Sequence, residues 1–345
     1  MGIVFLTIPY VWSRYGTSSL FVEIILCVLL TFFIGFRFQI GVDWATYEII
    51  FYDLSRVPFW DALLIGDPAY SAINWVVSEL KGQVWHVNLV CGAIFALALV
   101  RFCRIFEFPA VAMIAVFPLL IVVTAMGYTR QATAIAFVMM AIISFDGRFN
   151  WRWIAWLTAG LMFHKSVFIL FPLFILSASR NLITGLIVGG AIVLFLLVNV
   201  VLRGLSETLA LYVGGGLESS GTLFRIGIGA IAASCFFLIP NRQVVFGSRY
   251  ILWRNMGYFG FALVPLALAA PSATIIDRTG ILLIPLQAAV FSGLITGLGL
   301  KPGLRFACIL GVILYSAVIL GGWLQYAQFA SYWIPYRNVL LEPFL

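Results

Sequence analysis

Long apolar runs separated by short polar breaks set the pattern of this chain. Leu20–Phe36 is the first full run, and others fall at about 85–100, 109–125, 131–145, 153–163, 166–176, 182–202, 223–239, 256–270, 280–295 and 306–323. Most approach the roughly 20 residues that a helix needs to cross a bilayer. The short alternating strands of a transmembrane barrel are not visible. The pattern therefore predicts an all-α, polytopic integral membrane protein of about ten to twelve spans, with 1–345 as a single membrane domain. Met1–Trp12 reads as a truncated, tilted or re-entrant first segment. It has neither the basic start nor the small-residue cleavage site of a removable signal peptide.

One stretch departs from the rhythm. Phe36-Arg37-Phe38-Gln39-Ile40-Gly41-Val42-Asp43-Trp44-Ala45-Thr46-Tyr47 closes an apolar run with charge and opens a polar loop over 38–83. Within that loop Trp44, Tyr47, Ile50, Phe51 and Leu54, then Tyr70, Ile73, Trp75, Val76 and Leu80, recur at helical spacing. Such spacing predicts short amphipathic helices lying on the membrane interface. Pro172, Pro265 and Pro285 predict kinks. Gly185-x-x-x-Gly189 and Gly293-x-x-x-Gly297 predict close helix contacts.

Composition sharpens the membrane reading. Of 345 residues, 63% are hydrophobic and 10% are charged, and the mean hydropathy is +1.10. A water-soluble domain carries about a quarter charged residues, so no soluble core accounts for these values. The formal net charge of +7 reports loop orientation and gives no reason to expect nucleic acid as a partner. Cys27, Cys91, Cys103, Cys235 and Cys308 form no Cys-x-x-Cys pair, which leaves neither a disulfide framework nor a zinc site. No cofactor is implied. If Arg14 is cytoplasmic, alternation places Arg101, Arg104, Arg148, Arg152, Arg180, Arg242, Arg249, Arg254, Lys301 and Arg305 on the same side, in accord with the positive-inside rule.

The exceptions carry the chemistry. Arg37, Arg130, His164, Lys165, Arg203, Arg225, Arg278 and Arg337 fall on the other side, at or near span ends. A cation there costs desolvation energy that a shared anionic ligand would offset, and arginine matches phosphate oxygens in bidentate fashion. Plainer readings stand beside this one. Arg37 also fits a snorkelling side chain or an ion pair with Asp43, and Arg278 fits a pair with Asp277. His164 fits a satisfied helix-end residue, and His86 an interfacial one. Arg203, Arg225 and Arg337 read more readily as headgroup anchors. Gly214-Gly215-Gly216 lacks the Gly-Lys-Ser/Thr of a phosphate loop and reads as a turn. Glu23 is the main acid inside a run, which disfavours a proton-coupled transporter.

Four motifs appear in order: Phe-Arg-x-x-x-Gly-x-Asp-x-x-x-Tyr at 36–47, Arg-Gln at 130–131, Phe-His-Lys-Ser at 163–166 and Asp-Arg at 277–278. The ordered set resembles the Wzy/EpsG-like polysaccharide polymerases, over about Leu20 to Arg337. It departs from them in its short first segment and in the Thr-Gly-Ile after Asp-Arg. The resemblance implies a metal-independent glycosyltransferase, inverting or retaining, in the bacterial cytoplasmic membrane with its site facing the periplasm or exterior. It would join undecaprenyl-diphosphate-linked oligosaccharides, with the lipid bilayer and a chain-length regulator as further partners. Carried onto this chain, it implies that Arg37, Arg130 and Arg278 hold diphosphate and that Asp43 or His164 handles the acceptor hydroxyl. Trp44, Tyr47, Tyr128, Gln131 and Lys165 are candidates for glycan contact. Trp60, Tyr70 and Trp75 could also stack on sugars, or could equally anchor the loop in the headgroups. A lipid-linked glycan ligase and, in a different class, a lipid-linked glycan flippase are the competing readings. A flippase should line a through-path with cations on both leaflets and often shows repeat symmetry, whereas here the cations outside the loops cluster toward one side and no repeat is visible.

Overall fold

The computed structural model describes residues 20–178, 221–269 and 274–341. Met1–Trp12, Arg14, Arg180, Gly185 and Gly189, the run at 182–202, Arg203 and Gly214–Gly216 lie outside the described residues. Helix α1 spans Leu20–Gly35. Three short helices follow in the polar loop, α2 (Trp44–Leu54), α3 (Phe59–Ala62) and α4 (Pro68–Glu79). The run of long elements then includes α5 (Val84–Cys103), α6 (Pro109–Val116), α7 (Thr129–Ser144), α8 (Trp151–Leu161) and α9 (Leu170–Ala178). Beyond residue 220 come α10 (Thr222–Leu238), α11 (Arg242–Phe246), α12 (Tyr250–Ala269), α13 (Thr274–Ile281), α14 (Pro285–Gly297) and α15 (Pro302–Tyr326). Among the described residues, four stretches are long and apolar enough to cross a membrane, and five shorter apolar helices accompany them. The protein is an all-α polytopic membrane protein. Helices suit this setting because each satisfies its own backbone polar groups away from water.

The helices run back and forth. Gly35 packs on Leu89 near one end of the α1–α5 pair, while Glu23 meets Arg104 at the other. The end of α1, residues 125–128, and the starts of α5, α7, α10 and α13 thus share one end of the bundle. Arg104 and Arg249, which donates to the carbonyls of Ile142 and Ile143, mark the opposite end. Among the described residues, Arg104 and Arg249 therefore lie at the end opposite Arg37, Arg130, Arg225 and Arg278.

Glycines let helices approach where the sequence predicted it. A Cβ on Gly293 would lie 2.5 Å from a ring carbon of Phe246, and one on Gly297 would lie 2.6 Å from Ile239. Gly293→Ala should therefore destabilise the solubilised protein by about 1–3 kcal/mol through overpacking. Gly303→Ala, with open space around that glycine, should leave the melting temperature unchanged. A thermal unfolding series in detergent checks both. The prolines behave less uniformly than expected. Pro265 sits inside α12, but Pro172 and Pro285 lie in first turns, where a missing N–H is harmless.

Between α6 and α7 the chain widens into a π-helix over Phe117–Ala125, wholly buried and containing Pro118. Its freed carbonyls find donors. Thr124 donates to Leu119 O at 2.7 Å and the Trp333 indole to Val122 O at 2.9 Å. Such bulges often mark functional positions, and this one ends just ahead of Tyr128-Thr129-Arg130-Gln131.

The polar loop forms a layer over this end. Tyr47 and Tyr70 pack ring to ring at 5.7 Å, and the Trp75 indole donates to Val57 O. On α4 the buried stripe is Tyr70, Ser71, Asn74 and Val77, whereas Val76 and Leu80 point outward. Apolar spacing alone misassigned that face, because Ser71 and Asn74 bury themselves by bonding the carbonyls of Ile65 and Tyr70.

Candidate active site

Charged and polar side chains from α2, α4, α7, α10, α13 and the α8–α9 turn converge at this end. Arg130, in the first turn of α7, pairs with Asp67 at 3.0 Å. Its guanidinium also lies 5.9 Å from each of the Tyr47 and Tyr70 rings. Arg278 stacks over Tyr128 at 4.5 Å and donates to Gln131 Oε1, while Gln131 Nε2 donates back to the Arg278 carbonyl. Gln131 thus fixes α13 against α7. Arg225 on α10 pairs with Asp277 at 2.6 Å, both almost fully buried.

Asp43 faces the charges of Arg278 and Arg130 and accepts a long hydrogen bond of 3.5 Å from the Tyr47 hydroxyl. Asp67 and Asp277 are each held by an arginine. Among the described residues, Asp43 makes no ion pair. Burial raises its carboxyl above the ordinary value, and the two arginines and the Tyr47 hydrogen bond only partly counter that. A buried carboxylate whose proton affinity is raised, in a site rich in arginine, is suited to accept a proton.

His164 caps the 3-10 turn Lys165–Ile169. Its Nδ1 accepts from the Ser166 backbone N–H at 3.2 Å and lies 2.7 Å from the Ser166 hydroxyl, an arrangement that suits the Nε2–H tautomer. Burial first, then Arg278, Arg130 and Lys165, push its pKa down to about 3. The ring is a neutral hydrogen-bond donor at working pH, which removes it as a general base through Nε2. Lys165 itself is exposed and lies within electrostatic reach of Asp67.

Arg37 does not join these groups as a ligand. It is 1% exposed and donates to Ile34 O at 2.6 Å, Asn88 Oδ1 at 3.1 Å and Thr129 Oγ1 at 2.5 Å. It neither snorkels nor pairs with Asp43. Hydrogen bonds from a charged donor are each worth about 1.5–3 kcal/mol, so the cation is held by neutral acceptors. Immediately after it the chain is clamped to a distant segment: Phe38 N–H donates to Arg337 O, Val339 N–H to Phe36 O and Gly41 N–H to Tyr332 O. Gly41 then passes the α6–α7 junction with φ +98°, and a Cβ there would lie 2.7 Å from Met126 O. Only glycine meets both demands. The spacing of the motif is now explicable: Arg37 anchors, Gly41 turns past α7, and Asp43 is delivered beside Arg130 and Arg278.

A model of the EpsG family matches residues 20–338. The chain belongs to the EpsG family. Membership gives it a polysaccharide-polymerase type of function, glycosyltransferase-like in its chemistry. No curated protein and no solved structure matches the chain.

Within this EpsG-family chain, Arg130, Arg278, Asp43, His164, Tyr128, Gln131 and Lys165 come together, whereas Arg37 lies apart. Trp44 is buried and donates to Glu48, and Tyr47 and Tyr70 are also buried, so none of the three offers a ring face to a sugar. Arg278 does not pair with Asp277, because Arg225 takes that carboxylate. Arg225 is correspondingly no headgroup anchor. Its signal was its place among the cations on the minority side. Asp67 stands among the acids of the polar loop with nothing in sequence to tie it to Arg130. Its side chain makes no cap and reaches Arg130 instead.

Proposed function

We propose that this chain polymerises a surface polysaccharide at the outer face of the bacterial cytoplasmic membrane, joining undecaprenyl-diphosphate-linked repeat units. The observation that carries this reading is the gathering of Arg130 and Arg278 around Asp43 at one end of the bundle. The opposite end, rich in Arg104, Arg148 and Arg249, supports a cytoplasmic assignment for that side.

In this reading an acceptor sugar hydroxyl attacks the anomeric carbon of the donor glycan. The new glycosidic C–O bond forms as the C–O bond to the diphosphate breaks, and the lipid diphosphate leaves with that electron pair. Arg130 and Arg278 neutralise the charge that grows on the departing phosphates. Asp43 takes the hydroxyl proton. His164 offers Nε2–H to a substrate oxygen, and Gln131 and Tyr128 keep Arg278 in position.

Removing the gene tests the function. Loss of a polymerase leaves single repeat units on the lipid anchor when surface glycan is resolved by gel. Complete absence of the glycan would instead point to a flippase or a ligase.

A further inference from the structure

We propose that Arg37 is a positioning residue that sets the distance between the Asp43-bearing loop and the Arg130-bearing end of α7. This inference rests on the polymerase reading and adds a residue that never touches substrate. Three observations carry it. First, Arg37 bridges three elements at once, holding the last turn of α1 (Ile34 O), the second turn of α5 (Asn88 Oδ1) and the first residue of α7 (Thr129 Oγ1). Second, Thr129 directly precedes Arg130, and its hydroxyl donates to Asn88 Oδ1 at 3.0 Å. The network therefore ends one residue from the clamp. Third, Arg37 stands at the root of the short connection that ends at Asp43, and its backbone pairs with Asn338 in an isolated antiparallel bridge. A guanidinium fits the task because its rigid fork directs several donors at once, which an ammonium on a flexible stem does not do.

The consequence is a separation of binding from turnover. Arg130 has its own support from Asp67 and from the rings of Tyr47 and Tyr70. Loosening the Arg37 network therefore moves the proton acceptor relative to the clamp more than it weakens the clamp. Such small misplacements are costly to rate, since a shift of about 1 Å can cost on the order of 100-fold.

The test compares Arg37→Gln and Thr129→Val in purified, detergent-solubilised protein of matched folded amount. Two quantities are read: turnover of the lipid-linked repeat unit, and inhibition by undecaprenyl diphosphate. Positioning predicts that both variants lose at least about 10-fold in kcat, while undecaprenyl diphosphate inhibits within about threefold of its wild-type potency. The double variant should be no worse than Arg37→Gln alone, and Thr129→Ser, which keeps the hydroxyl, should restore turnover. Wild-type kcat per folded molecule in either single variant would overturn the inference, as would additive losses in the double. If Arg37→Gln does not fold, Thr129→Val and Thr129→Ser decide the matter. The wild-type protein separates the two levels. If it does not elongate the lipid-linked repeat unit, the polymerase reading itself falls, whereas wild-type elongation beside normal Thr129→Val removes only the role of Arg37.

Discussion

Arg130→Ala, expressed at the wild-type level, should collapse the chain-length ladder to single repeat units. The expected loss of transfer rate is about 100- to 1,000-fold, the scale seen when one preorganised donor to a developing oxyanion is removed. Arg130→Lys should recover little of it. A lysine keeps the charge but loses the planar fork that grips two phosphate oxygens. Asp67→Asn gives the complementary result. Asp67 occupies Arg130 at 3.0 Å, so a diphosphate must compete with it or share the guanidinium. Weakening that pair should lower the apparent KM for the lipid-linked donor or leave it unchanged, with kcat no more than modestly reduced. Full ladders in both Arg130 variants would remove Arg130 from the site.

Asp43→Asn should lower kcat by about 100- to 10,000-fold, the range for a general base in proton transfer. Asp43→Glu should retain part of the activity. The pH profile offers a second reading of the same group. Asp43 accepts a proton only when ionised, and burial raises its carboxyl above the ordinary range. Activity should therefore fall as pH drops through that raised value, placing the acid limb above where an exposed aspartate would put it. A bound diphosphate adds negative charge nearby and should move the limb of kcat higher than that of kcat/KM. His164→Gln should keep the limb, because the imidazole is already neutral with its pKa near 3. An acid limb that vanishes in His164→Gln and survives in Asp43→Asn would reverse the two assignments.

The membrane architecture was legible because hydrocarbon imposes a simple rule on each span, and α1, α5 and α15 obey it by composition alone. That Arg130 and Arg278 share one end of the bundle was legible for a similar reason: alternation of spans is local in sequence. Partnerships were not. Asp277 sits next to Arg278 in the chain yet bonds Arg225 from another helix, 2.6 Å away. Nothing in spacing could distinguish those two arginines. Arg37 shows the same limit from the other side. An arginine at a span end looks exposed in sequence, and its burial depends on Asn88 and Thr129, neutral residues on helices far along the chain. Charge counting sees ionic partners and overlooks such acceptors. The face of α4 was misassigned for a kindred reason, since Ser71 and Asn74 go inward only when nearby carbonyls accept from them.

The clamp between Phe36–Gly41 and residues 332–339 imposes an order on biosynthesis. Backbone bonds join Phe36 to Val339, Phe38 to Arg337 and Gly41 to Tyr332. The Trp333 indole meanwhile serves the carbonyl of Val122 inside the π-helix. The chain must therefore be made to about residue 339 before the loop carrying Asp43 has these bonds. Until that moment the arginines can be in the membrane while the proton acceptor is still unfastened. A chain stopped before residue 332 has its membrane helices up to that point but none of these three backbone bonds.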